Sequence, residues 1–277
     1  MKIIETIPEL RQALAKESGN IGLVPTMGYL HEGHLSLVRM ARRENECTVV
    51  SIFVNPMQFG ANEDLSSYPR DTSRDLKLLE IEEVDYVFIP AVSDMYPTGF
   101  STWVEVERVT ERLEGASRPG HFRGVATVVQ KLFHIVEPNR AYFGQKDAQQ
   151  AVVIKKMVLD LNMYIDIVLG ATIRESDGLA LSSRNSYLNS EERKAASVLY
   201  RALTTAKQMW QQGECDAGRL KDEMRSVIQR EPLAEINYVS IADSNTLEEL
   251  SKIDGPALAS LAVNIGSTRL IDNFILE

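Results

Sequence analysis

Short apolar runs that alternate with helical patterns constrain this chain more than any other feature. Between residues 21 and 172, runs of strand length are separated by segments whose apolar residues recur at helical spacing. Parallel strands need a long crossover, usually a helix, so the alternation predicts an α/β fold with a doubly wound parallel sheet, in which ligands bind at the carboxyl ends of the strands. The predicted strands are 21–26, 47–54, 84–90, 140–144 and 164–172, and the predicted helices are 34–45, 71–83, 122–137 and 147–161.

The pattern changes after about residue 175. The Ser/Asn-rich segment 182–192 predicts a loop, and Asn189 followed by Glu192 three residues later predicts a helix start. Helical patterns come first and strand patterns later, which predicts a smaller α+β domain. We therefore expect two domains, 1–175 and 176–277. In the second, the predicted helices are 190–212 and 216–230, and the predicted strands are 236–242, 257–265 and 269–276.

Composition excludes several classes of protein. The net charge of -9 makes the chain a poor candidate for non-specific nucleic-acid binding, although a local basic pocket for a phosphate is compatible with it. The two cysteines, Cys47 and Cys215, lie in no motif, which argues against a disulfide framework or a zinc site and fits a reducing cytosol. The N-terminus lacks the uncharged apolar core of a signal peptide, and no apolar run approaches the roughly 20 residues that span a bilayer. We expect a cytoplasmic protein with neither nucleic-acid nor membrane partners.

His31 and His34 follow the first long predicted strand and lead into a predicted helix. A helix N-terminus offers free N–H groups and a partial positive charge, both of which favour an anion. Gly28 and Gly33 would let the backbone approach a phosphate closely. Two imidazoles there could donate hydrogen bonds to phosphate oxygens, each contributing on the order of 3 kcal/mol to barrier lowering.

Three other interpretations of the histidine pair stay open on the residues alone. "HEGH" superficially resembles a zinc-protease motif, but its histidines are three rather than four residues apart. The remaining histidines, His121 and His134, lie in no metal-ligand spacing, although a generic metal site with a carboxylate is a further interpretation. The third is that both are ordinary polar residues that cap a helix.

Other polar segments follow predicted strands in the same half of the chain. Each has a plain structural interpretation as a turn, a solvated charge or a linker. In a parallel sheet, however, segments after strands converge on one edge. Their phosphate-binding groups and neutral amides, with no Ser-His-Asp or Cys-His arrangement evident, favour a site that positions a nucleotide and a small polar substrate. These candidates are Asn55 and Gln58, Arg118 and Arg123, the run Gln145, Lys146, Asp147, Gln149 and Gln150, and Ser182, Ser183 and Arg184.

Six ordered motifs resemble the pantoate–β-alanine ligases (pantothenate synthetases), members of the nucleotidyltransferase group with an H-x-G-H signature. The resemblance is dense from 24 to 188 and looser beyond. The motifs are "PTMGYLHEGH" (25–34), "FVNPMQF" (53–59), "YPRD" (68–71), "RPGHFRGV" (118–125), "FGQKDAQQ" (143–150) and "SDGLALSSRNSYL" (176–188).

The resemblance implies a Rossmann-like N-terminal domain, a smaller C-terminal lid domain and a homodimer. It also implies a two-step reaction with ATP as co-substrate. The carboxylate of (R)-pantoate attacks the α-phosphorus of ATP, giving pantoyl adenylate and pyrophosphate. The amine of β-alanine then attacks the activated acyl carbon, giving pantothenate and AMP.

Site residues also follow from the resemblance. His34 is the implied proton donor. Gln58 and Gln150 would hold pantoate from opposite sides, with Asn55 and Arg118 as secondary substrate contacts. The residues implied to act in catalysis are His31, His34, Lys146, Ser182, Ser183 and Arg184. The residues implied to bind ATP are Met27, Gly28, Tyr29, Leu30, His31, Glu32, Gly33, His34, Gly144, Gln145, Lys146, Asp147, Ile173, Leu181, Ser182, Ser183 and Arg184.

Magnesium is expected with ATP, because it offsets the charge of the triphosphate. Some family members have adjacent acids where this chain has Arg74 and Asp75, so Asp75 is the one candidate ligand, and phosphates and water would supply most of the coordination. Position 181 is leucine in this chain, where methionine is frequent in the family. The change should preserve the implied contact to ATP, because the backbone makes that contact.

Three alternatives remain at this point. A nucleotidyltransferase with the same histidine pair would stop after the first step, but the pantoate-facing glutamines Gln58 and Gln150 speak against it. A non-catalytic nucleotide sensor on the same fold is disfavoured by intact His34, Lys146 and Arg184. An RNA-charging enzyme is remote, because the chain is short and acidic.

Overall fold

The computed structural model describes residues 1–60 and 63–277. The chain forms two compact units, and each is described by itself. The first unit comprises residues 1–145 and 153–171, and the second comprises 146–152 and 172–277. The chain enters the second unit at 146, returns to the first unit at 153 and enters the second again at 172. The membership of 146–152 in that unit had no signal in the sequence.

A six-stranded parallel sheet is the centre of the first unit. Its spatial order is β1-β4-β3-β2-β5-β6, so the order reverses at β2, with β3 and β4 on one side and β5 and β6 on the other. The predicted α/β class and doubly wound sheet are confirmed, and the crevice between β2 and β5 is where such a sheet binds ligands. The strands are β1 Lys2–Ile4, β2 Ile21–Thr26, β3 Cys47–Ile52, β4 Tyr86–Phe88, β5 Arg140–Gly144 and β6 Asp166–Gly170.

Helices cross between these strands and bury apolar faces against them. In the second helix of the chain, Leu35, Val38 and Ala41 recur at helical spacing and are buried in one cluster with Val24 and Val50 of the sheet. The helices are α1 Ile7–Leu14, α2 Glu32–Glu44, α3 Thr72–Ile81, α4 Val92–Met95, α5 Glu114–Ser117, α6 His121–Val136 and α7 Ala148–Asp160, the first turn of which belongs to the second unit.

β1 and α1 were not predicted from the sequence, and α2 begins two residues before its predicted start. β1 is three residues long, with one buried side chain, and so shows no alternation to recognise. The start of α1 carries a recognisable cap, because the Thr6 side chain accepts a hydrogen bond from the Glu9 amide. α2 begins at Glu32, which places His34 in its first turn.

The second unit is an antiparallel three-stranded sheet packed with helices, and the predicted α+β domain is confirmed. The central strand is almost wholly buried and shares one apolar cluster with Leu199, Leu203, Leu220 and Met224 of the two long helices. The predicted helix 190–212 is interrupted at 196–197. The elements are α8 Ser190–Ala195, α9 Val198–Gln211, α10 Ala217–Gln229, β7 Ala234–Asp243, β8 Ala257–Ile265 and β9 Thr268–Leu276.

Among residues 1–60 and 63–277, no helix combines the length and the apolar character that a membrane crossing requires.

Candidate active site

The loop after β2 is held by a buried carboxylate. Asp75 of α3, whose side chain is 1% exposed, accepts 2.7 Å hydrogen bonds from the backbone amides of Tyr29 and Leu30. Gly28 and Tyr29 both have positive φ, at 80° and 48°, so the loop takes a conformation that L-residues rarely adopt. Burial raises the pKa of the Asp75 carboxyl, and the two amide bonds oppose that rise. Asp75 thereby shapes the loop that leads into the histidine pair.

His31 and His34 form a reciprocal cap at the start of α2. The Nδ1 atom of His31 accepts a hydrogen bond from the Gly33 amide at 3.2 Å, and Nδ1 of His34 accepts one from the His31 amide at 3.3 Å. A ring nitrogen that accepts an N–H bond carries no hydrogen, so in each neutral ring the proton lies on Nε2. The caps therefore set both imidazoles as Nε2–H donors. The two histidines can therefore cap the helix through Nδ1 and bind an anion through Nε2, so these two interpretations of the pair are compatible.

The glycine between the histidines has a steric role that the sequence did not reveal. The two rings lie with centroids 4.0 Å apart, and the His31 ring folds back over the helix start. A Cβ atom at Gly33 would lie 2.9 Å from Cε1 of His31, closer than real contacts allow, and 3.0 Å from its Nδ1, which is tighter than most. A side chain at position 33 would therefore displace the His31 ring from its cap geometry.

The turn after β3 presents Gln58 beside the loop after β2. The Gln58 side chain donates from Nε2 to Sδ of Met27 at 3.2 Å, and its Oε1 accepts from Nδ2 of Asn55 at 3.1 Å. Asn55 is buried and also donates to the carbonyl of Gly124, while its Oδ1 accepts from the hydroxyl of Tyr96 at 2.8 Å. Both the oxygen and the nitrogen of the Asn55 amide are thus hydrogen-bonded within the protein, and the bond from its nitrogen orients Gln58.

Arg118, an expected substrate contact, belongs to a chain of polar groups that ends at Gln58. Its guanidinium binds both carboxylate oxygens of Glu63, at 2.8 and 2.5 Å, and lies 3.2 Å from Nε2 of His121. Nδ1 of His121 lies 2.8 Å from the carbonyl oxygen of Gln58. A carbonyl only accepts, so the proton of neutral His121 is on Nδ1 and its Nε2 accepts from Arg118.

Electrostatics keep His121 neutral. Its burial, and then the charge of Arg118, lower its pKa to about 4. Burial acts to raise the pKa of Glu63, but the bonds and charge of Arg118 hold it below its ordinary value. Glu63 was not among the predicted site residues, and His121 was weighed only as a metal ligand. The single available signal was the position of His121 inside the motif "RPGHFRGV".

A metal site made by the protein alone has no support in the part of the chain described. No group of three or more His, Cys, Asp or Glu side chains is arranged there to hold an ion. Both oxygens of Asp75, the candidate magnesium ligand, point at backbone amides. The residues present thus fit an ion held by phosphate oxygens and water, with Asp75 serving the loop.

The segment after β5 is divided between the units. Gly144 ends β5 in the first unit, at the crevice between β2 and β5, with open space where a Cβ would lie, and Gln145 follows it. Lys146 begins the second unit, and its carbonyl accepts a 2.8 Å hydrogen bond from Nδ2 of Asn273. Gln150 lies in the first turn of α7, as predicted.

Residues 173–181 form a small hairpin in the second unit. Arg174 bridges to Ala180, and the Leu181 amide donates to the Ile173 carbonyl at 2.9 Å. The turn at Gly178 has a φ of 91°. Beyond the hairpin the predicted loop contains a 3-10 helix, Ser183–Tyr187, which begins where Oγ of Ser182 accepts from the Arg184 amide at 3.2 Å.

Each unit therefore collects its own set of predicted site residues. Among the residues expected to bind ATP, Glu32 already has a charged partner, because its carboxylate forms an ion pair with Arg39 on the surface of α2. The first unit contains Met27, Gly28, Tyr29, Leu30, His31, Glu32, Gly33, His34, Asn55, Gln58, Asp75, Arg118, Gly144 and Gln145. The second unit contains Lys146, Asp147, Gln150, Ile173, Leu181, Ser182, Ser183 and Arg184.

Residues 2–275 match the sequence profile of the pantoate-beta-alanine ligase family. The chain belongs to this family. Its members are ATP-dependent ligases that join pantoate and β-alanine through an amide bond, so the predicted family and reaction class are confirmed.

Named relatives within the pantoate–β-alanine ligase family are similar over their full lengths. The sequence is 61% identical over 277 residues to the pantothenate synthetase of Roseiflexus castenholzii, covering 100% of both chains. The crystal structure of pantothenate synthetase from Thermus thermophilus is similar with a TM-score of 0.96 and 49% identity, covering 99% of each chain. The ligase of Francisella tularensis, complexed with beta-gamma ATP and β-alanine, has a TM-score of 0.82 and 36% identity over 99% of this chain and 97% of that chain.

Proposed function

We propose that this chain condenses (R)-pantoate with β-alanine through a pantoyl adenylate, at the expense of ATP. The observation that carries the proposal is the pair of imidazoles whose caps hold both as Nε2–H donors. They lie at the N-terminus of α2, directly after β2, where the strand order reverses. That position favours a polyphosphate through backbone N–H groups and the helix dipole as well.

In the first step, a carboxylate oxygen of pantoate forms a bond to the α-phosphorus of ATP. The bond from that phosphorus to the bridging oxygen breaks, and pyrophosphate leaves with the electron pair. His31 and His34 donate from Nε2 to phosphate oxygens as negative charge shifts onto them. Donors that are already oriented stabilise this charge without reorganisation, which is where such sites gain most of their rate.

In the second step, the neutral amine of β-alanine attacks the acyl carbon of the adenylate. AMP leaves with the electron pair of the broken C–O bond, and the nitrogen gives up one proton to water as the amide forms. Gln58 holds pantoate, supported by Asn55 and by the His121 contact to its carbonyl. Orientation of two bound reactants supplies much of the rate for such a step.

Residues of the second unit are assigned to ATP and pantoate on the family motifs. Lys146 and Arg184 would neutralise phosphate charge, and Ser182 and Ser183 would donate hydroxyl hydrogen bonds. Gln150 would hold pantoate. Asp147 and the backbone of Ile173 and Leu181 would contact the nucleotide. Magnesium bound to the triphosphate supplies further positive charge, and phosphate oxygens and water would coordinate it.

The proposal includes a homodimer formed through the edge strand β6. Within the described part of the chain, this strand pairs on one side only, with β5. Exposed apolar side chains flank it: Tyr164 is fully exposed, and Leu159 and Leu161 are largely exposed. An unpaired edge with apolar neighbours is a template for a second copy. Light scattering should give twice the chain mass, and Tyr164→Asp should give the monomer. A monomeric parent chain would contradict this part.

A cytoplasmic location is also part of the proposal. Cys47 and Cys215 are both free thiols. Burial raises the pKa of the Cys47 thiol to about 12, which keeps it in the unreactive thiol form.

The proposed reaction is tested by supplying ATP, magnesium, (R)-pantoate and β-alanine and measuring pantothenate and AMP. We expect pantothenate and AMP in equal amounts, and AMP release that depends on β-alanine. A nucleotidyltransferase would release pyrophosphate but no β-alanine-dependent AMP, and that outcome would refute the ligase assignment. A nucleotide sensor would bind ATP and form neither product.

A further inference from the structure

Two consecutive residues of β9, Asp272 and Asn273, contact both segments of the second unit to which ATP binding is assigned. Asp272 binds the hairpin 173–181 through Arg174, and Asn273 binds the backbone of Lys146. Both β9 residues are buried. Neither belongs to the family motifs in the sequence, which end at residue 188.

The contact to the hairpin is a buried ion pair. The Asp272 side chain is 1% exposed, and its two oxygens accept from Nη1 and Nη2 of Arg174 at 2.6 and 2.8 Å. Such a two-point contact fixes the orientation of the guanidinium plane. The Arg174 guanidinium also lies 4.9 Å from the ring centroids of Tyr200 and Phe274. Arg174 is thus held from several directions by the body of the second unit.

Arg174 in turn contacts other residues of the hairpin. Its Nη1 donates to the carbonyl of Gly178 at 2.9 Å, and its backbone bridges to Ala180. Ile173 precedes it directly, and the Ile173 carbonyl accepts from the Leu181 amide. The two backbone positions assigned to the nucleotide therefore lie one residue from the residues that Asp272 anchors.

The contact to Lys146 is a hydrogen bond to the main chain. Nδ2 of Asn273, a residue that is 4% exposed, donates to the Lys146 carbonyl at 2.8 Å. The carbonyl lies in the short 3-10 helix Gln145–Asp147, before α7 begins. Without this donor the Lys146 carbonyl is no longer tied to β9, so the backbone that carries the Lys146 side chain is free to shift.

We propose that Asp272 and Asn273 are positioning residues that set the affinity for ATP by anchoring Lys146 and the hairpin 173–181 to one strand. The inference rests on the proposed function, because it takes Lys146 and the hairpin as nucleotide contacts. β9 is suited to this role, since it is paired along its whole length with β8. Loss of either anchor should weaken ATP binding selectively.

The test compares three variants of the full chain. Asn273→Ala removes the donor, and Asn273→Asp keeps the shape but places an acceptor opposite the Lys146 carbonyl. Ser260→Ala is the matched control, because Ser260 lies directly across from Asn273 in the sheet and its buried hydroxyl has no hydrogen-bond partner among residues 1–60 and 63–277. Calorimetry with a non-hydrolysable ATP analogue gives the ATP dissociation constant, and steady-state kinetics give KM for ATP and for pantoate.

Both Asn273 variants should bind the analogue up to about tenfold more weakly, the range expected for the loss of one hydrogen bond, with KM for pantoate changed less than twofold. Ser260→Ala should match the parent chain. Asp272→Asn should also weaken ATP binding and so raise KM for ATP, because it weakens the ion pair with Arg174 without changing the side-chain volume. It also gives a readout if an Asn273 variant does not fold.

Lys146→Ala separates failure of this inference from failure of the proposed function. If Lys146→Ala weakens ATP binding while all β9 variants bind it normally, the positioning role is refuted and the assignment of Lys146 stands. If Lys146→Ala also leaves ATP binding unchanged, the assignment fails, and the inference fails with it. Equal loss of ATP and pantoate affinity in the β9 variants would indicate a general structural role and would likewise refute the inference.

Discussion

Acidification from pH 7 to pH 4 should destabilise the first unit through one side chain, His121. In the folded protein, burial and then the charge of Arg118 lower the pKa of His121 from 6.5 to about 4. The unfolded chain has no such environment, so between these two pH values it binds a proton that the folded chain does not. Stability rises with pH wherever the unfolded state binds more protons, and it is therefore lost as pH falls through this window.

The magnitude follows from the size of the shift. A shift of one pKa unit is equivalent to about 1.4 kcal/mol, so a drop from 6.5 to about 4 gives about 3 kcal/mol of lost stability. The geometry supports the sign, because a proton on Nε2 of His121 would lie against the Arg118 guanidinium, now 3.2 Å away. The nearby carboxylates of Glu63 and Glu114 oppose the effect without reversing it.

The assay is urea unfolding at a series of pH values, with His121→Asn as the matched variant. The asparagine amide can still donate to the Gln58 carbonyl, but it does not titrate in this range. Trp103 lies in the first unit and Trp210 in the second, so a Trp210→Phe background makes fluorescence report the first unit alone. The parent chain should lose about 3 kcal/mol more than the variant between pH 7 and pH 4. Parallel stability curves for the two proteins would refute the reasoning.

Three further predictions concern the loop and the histidine pair. His34→Ala should lower adenylate formation at least about tenfold, because it removes an oriented donor, while ATP still binds; unchanged turnover would contradict its role. Gly33→Ala should keep helix stability, since alanine is the better helix former, but displace the His31 ring and lower adenylation. The control is Gly218→Ala. Gly218 is the second residue of α10, and a Cβ there would lie equally close to the capping side chain of that helix. This control should leave adenylation unchanged, and an equal loss of adenylation in both variants would refute the steric argument. Asp75→Ala should cost about 2–5 kcal/mol in urea unfolding, because two loop amides lose their acceptor, and a change confined to magnesium dependence would instead identify Asp75 as a ligand.

The elements that were predicted well are those whose signal is local. β2, β5 and β8 coincide with their predicted ranges, because runs of buried apolar residues mark them. The start of α8 was predicted from Asn189 and Glu192, which form the expected reciprocal cap. β1 was missed because a three-residue edge strand carries too little pattern, and pairing with β4, far along the chain, is what makes it a strand.

The sequence by itself determined the fold class, the family and the set of candidate site residues, since periodicity and motif order are properties of neighbours along the chain. Tertiary structure alone decided what those residues touch. Asp75 became the acceptor for a loop 45 residues away, and Arg118 became the partner of Glu63, 55 residues away. Asn273 reaches Lys146 across 127 residues. Such partners depend on strand register and packing, which bring distant segments within hydrogen-bond distance and leave no periodic trace in either segment.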